Sequence, residues 1–576
     1  MPKRKFNFDD NDNGNDAYHP NASETASFGI VLRDFYPPEM SNSRCEAYTK
    51  GIIPRPIELL KTAERETEDI RHEIKPNAAV VHWFKSDLRL HDNHGLQEAF
   101  RVAKENGVPL VTVYILSPED LKAHLVSPAR VDFTLRTLRI LQRDLNELEI
   151  PLYMETQDHR ENIPKRLVEL CHAWGAKRLY ANIEYEVDEL RREAKLVKLC
   201  AENGIAFNTM HDTCVVPPGP LASKQGKQYA VYSHWFRSWL AFLSENPRFL
   251  ERGEDLGSNP GDARKIFKGL FDCEVPEAPE GKRIEDEEDS EKAERLRELF
   301  PAGEHEALRR LEVFLEEKAS AYDDERSFLD RDGTSVLSPY LASGALSART
   351  AVVLARKANG NKIVGGQSGY ISWISEIAWR DFYRHVLVHW PFICMNKCFK
   401  PEFTNLNWSY NQDHFSAWTT GRTGFPLVDA AMRHLASSSW IPNRARMVVS
   451  SFLSKDLLID WRRGERYFME HLIDGDFASN HGGWGFGSST GVDPQPYFRI
   501  FNPLRQSERF DPEGVYIRRW VPELRGVEGK AVHAPYERGA GGVAEREGYP
   551  RPIVDHAERK DVALAEFRRA TTSKGG

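Results

Sequence analysis

Between Leu472 and Pro503 the chain reads LIDGDFASNHGGWGFGSSTGVDPQPYFRIFNP. Two carboxylates, Asp474 and Asp476, flank Gly475; an amide follows at Asn480, and Gly482-Gly483 come just before the indole of Trp484. An ordinary core segment has no need of that mixture. With a glycine between them, two carboxylates and the backbone can approach one ligand together. The paired glycines let the chain pass close to something flat. The plain alternative is an acidic helix end followed by a glycine-rich loop. GGWGFG follows a helical pattern rather than a strand, so it fails the context of a dinucleotide fingerprint.

A second stretch, TSVLSPYLASGALS (334–347), offers hydroxyls and backbone amides beside a helix start. Free N–H groups and the helix dipole both favour a phosphate there, although Ser or Thr before a helix is commonly only a cap. Cys394 and Cys398 sit one helical turn apart with no matching His/Cys pair after them, so no metal site is read from the sequence.

These residues need a scaffold, and the chain is long enough for two domains. It has 576 residues, of which 40% are hydrophobic and 28% charged, which suits a soluble globular protein. No apolar run reaches the roughly 18 residues of a membrane span, and no secretory segment opens the chain. Seven scattered cysteines argue for a reducing compartment.

The net charge of −8 is unevenly spread. Residues 251–350 hold 15 basic and 26 acidic side chains, a net of −11, concentrated around IEDEEDSEKAE (284–294). Residues 351–576 hold 30 basic and 24 acidic side chains, a net of +6 that permits phosphate contact.

Residues 1–75 read as an N-terminal extension, disordered through about residue 35. Pro2-Lys3-Arg4-Lys5 reads as a nuclear import signal, with the mitochondrion as a second compartment, although the Asp-rich segment disfavours a transit peptide. From Ala78 short apolar runs (AVVHWF, PLVTVYIL, PLYMET, KRLYANI) alternate with helical patterns such as residues 130–148. That alternation predicts a Rossmann-like α/β domain with a parallel sheet over residues 76–217. An acidic connector follows over 218–305. Apolar spacing is helical from residue 306 onward, predicting a mainly α-helical domain to about residue 570.

Four stretches carry a resemblance: HWFKSDLRLHDNHGL (82–96), WISEIAWRDFYRH (373–385), GFPLVDAAMRHL (424–435) and SSWIPNRARMVVSSFLSKDLLIDWRRGERYF (438–468). Together with 472–503 they resemble the photolyase/cryptochrome family of flavoproteins. Within it they are most similar to class I cyclobutane pyrimidine dimer photolyases of eukaryotic microbial type. The resemblance implies an α-helical FAD-binding domain. It also implies light-driven repair, in which excited FADH⁻ donates an electron to a dimer flipped out of damaged DNA and recovers it after the ring splits.

The resemblance implies roles residue by residue. FAD contacts fall on Tyr322, Thr334, Ser335, Leu337 (main chain), Ser338, Trp373, Arg380, Asn443, Arg446, Asp474, Asp476 and Asn480. Asn480 faces the flavin N5, and an amide there favours the anionic hydroquinone. The lesion pocket takes Trp379 and Trp440 as walls, Glu376 as hydrogen-bond partner and Met447 as a contact to the dimer. Asn443 and Arg444, with Arg326 and Arg499, meet the DNA. Pro442-Asn443 stand where (6-4) photolyases carry a His pair.

Trp484, Trp461 and Trp408 match an electron-transfer chain, inner to outer. Phe486 replaces a tryptophan of some bacterial relatives. The antenna expected is methenyltetrahydrofolate at His124, Asp188, Glu189 and Cys394, with a deazaflavin as the alternative. Asp188 stands where Asn is common, and Met395 replaces a Lys. The implied partner is dimer-containing DNA, bound by a monomer. The rival is a signalling cryptochrome, which the short tail after the last motif disfavours.

Overall fold

The computed structural model describes residues 42–572 apart from 224, 287, 288 and 396. The basic run at 2–5 and the stretch read as disordered lie outside the described residues.

Five short β-branched and aromatic runs form the sheet: β1 (Ala79–Phe84), β2 (Leu110–Leu116), β3 (Leu152–Thr156), β4 (Ala176–Asn182) and β5 (Ala206–Met210). All neighbours pair in parallel, in the order β3-β2-β1-β4-β5. Every residue of β1 is buried, as expected for a strand covered on both faces. Parallel pairing demands crossovers, and the intervening helices supply them. Helix His94–Asn106 shows how the sequence punctuates one. Asn93 Oδ1 accepts from the Leu96 amide at 3.1 Å, and Gly107 ends the helix at φ 63°. The chain steps outward from β1 to β3, then returns to place β4 on the other side of β1. That reversal opens a crevice at the carboxyl ends of β1 and β4, where α/β sheets bind ligands.

Two boundaries drawn from composition shift in the structure. Helix Pro56–Glu66 belongs to the α/β core, because Ile57, Leu60 and Ala63 are buried in its apolar cluster. Its apolar residues, Ile57, Leu59, Leu60 and Ala63, are few within a polar segment and do not stand out in the sequence. The acidic connector also contains core. Helix Tyr232–Glu245 buries Tyr232, Trp235 and Trp239 against helix Ser368–His389. Trp239 Nε1 donates to Asp381 Oδ2 at 3.1 Å, and Trp235 Nε1 to His385 Nδ1 at 3.2 Å.

Beyond Met210 the described residues form helices and loops without a further strand. Buried charge joins the two halves. Arg349 Nε donates to Asp92 Oδ1 at 2.8 Å, Thr350 Oγ1 to Asp92 Oδ2 at 2.9 Å, and Arg349 Nη2 to Asp212 Oδ1 at 3.4 Å. Gly344, at φ 73°, lies where any Cβ would overlap the backbone of Ser86 and Asp87. Helix Pro128–Glu147 adds a direct tie to the 472–503 segment: its N-cap Ser127 donates to the Leu472 carbonyl at 2.7 Å, and Arg130 donates to the Gly475 carbonyl.

Candidate active site

The helical half encloses a cavity of about 430 Å³. All twelve residues expected to contact FAD line it. So do Glu376, Trp379, Trp440, Met447 and Arg326 of the expected lesion pocket, and Trp484 of the expected electron chain. Arg444 lies behind this lining, with Nη2 donating to Ser327 Oγ at 3.1 Å and its guanidinium over Phe510. Arg499 is exposed on a neighbouring turn.

The 472–503 segment is not a glycine-rich loop at its centre. Phe477–Ser488 is a helix, capped by Asp476, whose Oδ1 accepts from the Ser479 amide at 2.8 Å. Four glycines in that helix each cost about 1 kcal/mol relative to alanine. Packing explains most of them: a Cβ at Gly482 would run into the Tyr383 ring, at Gly485 into Gly491, and at Gly487 into Ser450. Gly483 differs. It lines the cavity, and a Cβ there would meet no protein atom within 4 Å. No protein neighbour requires glycine there.

The polar groups fit FAD. Trp373 Nε1 donates to Ser335 Oγ at 3.3 Å and Trp440 Nε1 to Ser338 Oγ at 3.0 Å. With an indole donor on each oxygen, both hydroxyl protons are free to donate to phosphate oxygens. Helix Ser338–Ser343 has only six residues, so these hydroxyls matter more than its dipole. Asp474 Oδ2 accepts from Arg446 Nη2 at 2.8 Å. Asp474 Oδ1, Arg380 Nε and Ser479 Oγ are buried, and no hydrogen-bond partner meets them among the described residues. Unsatisfied buried polar atoms of that kind call for a ligand.

Arg384, which the sequence reading passed over, controls the charge here. Its Nη2 donates to Asp476 Oδ2 at 2.6 Å, with Arg380 3.8 Å from the same oxygen. Burial pushes the Asp476 carboxyl up, but Arg384 and then Arg380 more than reverse this and hold it ionised. Burial and the neighbouring Arg384 lower Arg380 to about 10. Asn480 Nδ2 donates to the Glu465 carbonyl at 3.0 Å, which fixes the plane of the amide at the cavity wall. At the mouth, Glu376 is ion-paired with Arg326.

The three expected electron-transfer tryptophans belong to one apolar cluster and differ in exposure. Trp484 lines the cavity, Trp461 is buried in the same cluster as Trp484, and Trp408 is half-buried against Phe567 at 6.4 Å. Trp418 was not singled out from the sequence, yet its ring centroid is 6.1 Å from that of Trp484. Buried at the end of a short amphipathic helix, it reads in sequence as ordinary core.

A second cavity, of about 220 Å³, opens at the carboxyl ends of β1, β2 and β4. His124 and Glu189 line it, and Asp476 lines both cavities. His124 Nε2 lies 3.1 Å from both Asp188 Oδ2 and Glu189 Oε1, and His124 Nδ1 lies 3.1 Å from Glu186 Oε2. Arg160 is the counter-cation, donating to Asp188 at 2.6 Å. Burial and then the neighbouring Asp188 raise Glu189 to about 8. Burial lowers His124, but Glu189, Asp188 and Glu186 outweigh it and raise the ring well above its ordinary value. Cys394 is not brought to this crevice. It is fully buried, in the cluster that includes Cys45, Tyr48 and Val187, and does not line this cavity.

Fold and site together define a two-domain flavoprotein, and comparison makes that specific. Residues 80–251 match the DNA photolyase family model, and residues 373–569 match the model of the FAD-binding domain of DNA photolyase. A deoxyribodipyrimidine photo-lyase of Neurospora crassa is 57% identical over 567 residues, covering 96% of this chain and 92% of the relative. That of Escherichia coli is 36% identical, covering 85% of this chain and 99% of the relative. The crystal structure of a class III photolyase from Agrobacterium tumefaciens aligns with TM-score 0.73 at 30% identity, covering 86% and 98% of the two chains. A Synechocystis cryptochrome aligns with TM-score 0.71 at 26% identity, covering 84% and 98%. The chain belongs to the DNA photolyase family and carries its FAD-binding domain.

Proposed function

We propose that this protein is a deoxyribodipyrimidine photo-lyase, a light-dependent DNA-repair enzyme that splits cyclobutane pyrimidine dimers. One observation carries the reading: a single cavity is lined both by the groups suited to FAD and by Glu376, Trp379, Trp440 and Met447, which suit a pyrimidine pair. Two indoles offer stacking faces to bases taken out of the duplex, worth roughly 1–3 kcal/mol per base. Glu376 offers the carboxylate oxygen that Arg326 leaves free to a pyrimidine N–H. Arg326, Asn443, Arg444 and Arg499 steer and hold the phosphates.

When bound, reduced FAD supplies the photoexcited electron for ring opening. Asp474, Arg446, Ser335 and Ser338 orient it, Asn480 offers an amide in place of an acidic proton donor, and Arg380 favours negative charge nearby. Trp484, Trp461 and Trp408 carry replacement electrons from the surface. The deciding experiment is repair of a thymine dimer in a synthetic oligonucleotide by chemically reduced protein under blue light, against a dark control. Light-dependent restoration of thymine is expected; no repair with FAD bound and reduced would overturn the reading.

The second cavity suits a light-harvesting chromophore, and His124, Asp188 and Glu189 favour the N–H-rich pterin of methenyltetrahydrofolate. Cys394 does not line that cavity, and the proposal rests on the other three residues. The absorption spectrum of the chromophore released on denaturation separates folate from deazaflavin. We further propose a monomer acting on nuclear DNA, checked by sedimentation and by imaging a tagged chain. A Saccharomyces cerevisiae relative is named a mitochondrial deoxyribodipyrimidine photo-lyase, so imaging should also score mitochondria.

A further inference from the structure

We infer that Tyr232, from the segment that reads as a connector, is a positioning residue for the lesion pocket, acting through Trp379. The inference rests on the photo-lyase reading of that pocket.

Trp379 has two faces to account for. Its residue lines the cavity. Against it lies Tyr232, with ring centroids 3.5 Å apart and planes 9° apart. Phe236 continues the stack, 5.5 Å from Tyr232 at 11°. Phe382 closes the edge, 5.5 Å from each of Tyr232 and Trp379. The indole is therefore gripped on one face by a column of rings. Tyr232 is itself anchored. Its hydroxyl lies 2.7 Å from the carbonyl and 2.7 Å from the Oγ of Ser375, the residue before Glu376. Its backbone amide donates to Asp493 Oδ2 at 2.9 Å. Asp493 holds a left-handed φ of 43° on the turn-rich stretch that leads to Arg499.

One residue thus touches three parts of the proposed DNA-binding surface: the Trp379 wall, the helix turn that carries Glu376, and the 489–502 loop. A wall that must accept a flipped base gains from being rigid beforehand, because ordering it during binding would cost affinity. Packing alone does not require tyrosine here. The apolar body of the ring fills the core, whereas the hydroxyl reaches a specific carbonyl on the helix of Glu376 and Trp379. The stack sets the tilt of Trp379, and the hydroxyl sets the register of the stack.

The test uses full-length FAD-loaded protein and binding of a dimer-containing oligonucleotide against its undamaged twin in the dark. Tyr232→Leu is expected to weaken dimer binding about tenfold, with flavin content and undamaged-DNA affinity unchanged. Tyr232→Phe keeps the ring but loses the anchor to Ser375, and should recover only part of the loss. The decisive readout is a double-mutant cycle with Trp379→Ala: in that background Tyr232→Leu should have no further effect on discrimination. Additive losses would show that Tyr232 acts elsewhere and would overturn the inference. So would a Tyr232→Leu protein that discriminates as well as the parent. If leucine costs the protein its flavin, Tyr232→Met, of similar length without a ring, replaces it in the cycle. A parent protein with no preference for dimer DNA would overturn the photo-lyase reading and this inference together. A parent preference untouched by Tyr232→Leu would overturn only the inference.

Discussion

Gly464 and Trp484 are fitted to one another: a Cβ on Gly464 would overlap the six-membered ring of the Trp484 indole. Gly464 lies mid-helix, in Trp461–His471, where glycine is costly, so the approach of the indole is what requires it. We expect Gly464→Ala to destabilise the protein by about 1–3 kcal/mol through overpacking and to slow photoreduction of the flavin by displacing the ring. Thermal melts together with light-driven flavin bleaching check both effects. A stable variant with normal photoreduction would show that the ring tolerates movement.

Trp408 is half-buried, whereas Trp461 and Trp484 are buried. Trp408→Phe removes an oxidisable ring and keeps most of the packing against Phe567. It should abolish photoreduction of oxidised enzyme while leaving repair by pre-reduced enzyme intact. If photoreduction persists, Trp418, buried beside Trp484, is the next candidate relay.

Glu376→Ala should lower repair roughly 10- to 100-fold, the worth of a hydrogen bond to a charged group, with flavin retained. It also leaves Arg326 without its carboxylate at the cavity mouth. Dimer repair per absorbed photon is the measurement, and an unchanged yield would remove Glu376 from the substrate site.

Asp474→Asn breaks the pair with Arg446 and neutralises a buried acceptor. FAD should wash out at least tenfold more readily, read as the flavin-to-protein absorbance ratio after dialysis. Full retention would mean that the unpartnered Asp474 oxygen does not meet the cofactor.

The His124 cluster predicts a pH dependence. Glu189 is held near 8, above its ordinary 4.5, and His124 is also raised. Both groups carry more protons when folded than unfolded. Stability is therefore lost as pH rises from the unfolded values through about 8. Asp188, Glu186 and Arg160 face the same cluster; Asp188 is held low and does not oppose this above pH 5. Melting temperature should fall between pH 6 and 9, and Glu189→Gln should flatten that slope. An equally steep slope in the variant would place the titration elsewhere.

Sequence alone determined the order of the two architectures and most of the cavity lining. Short continuous apolar runs and helical spacing are local properties, so the parallel sheet and the helical half were legible. The chemistry-bearing residues were legible because motif positions fix residue types, and all twelve expected FAD contacts line one cavity.

Only the tertiary structure decided what depends on approach between distant segments. The helix at 477–488 reads as a loop until Tyr383, Gly491 and Ser450 show why glycines are tolerated in it. Arg384 looks like any surface cation of a long helix until folding places it on Asp476. Cys394 is near the right motif yet is fully buried and does not line the second cavity. Tyr232 lies 147 residues before Trp379, in a stretch marked by acid and glycine, and no local pattern announces that their rings meet. Burial and ring contact are properties of pairs, and a chain read one window at a time carries the members of a pair without their distance.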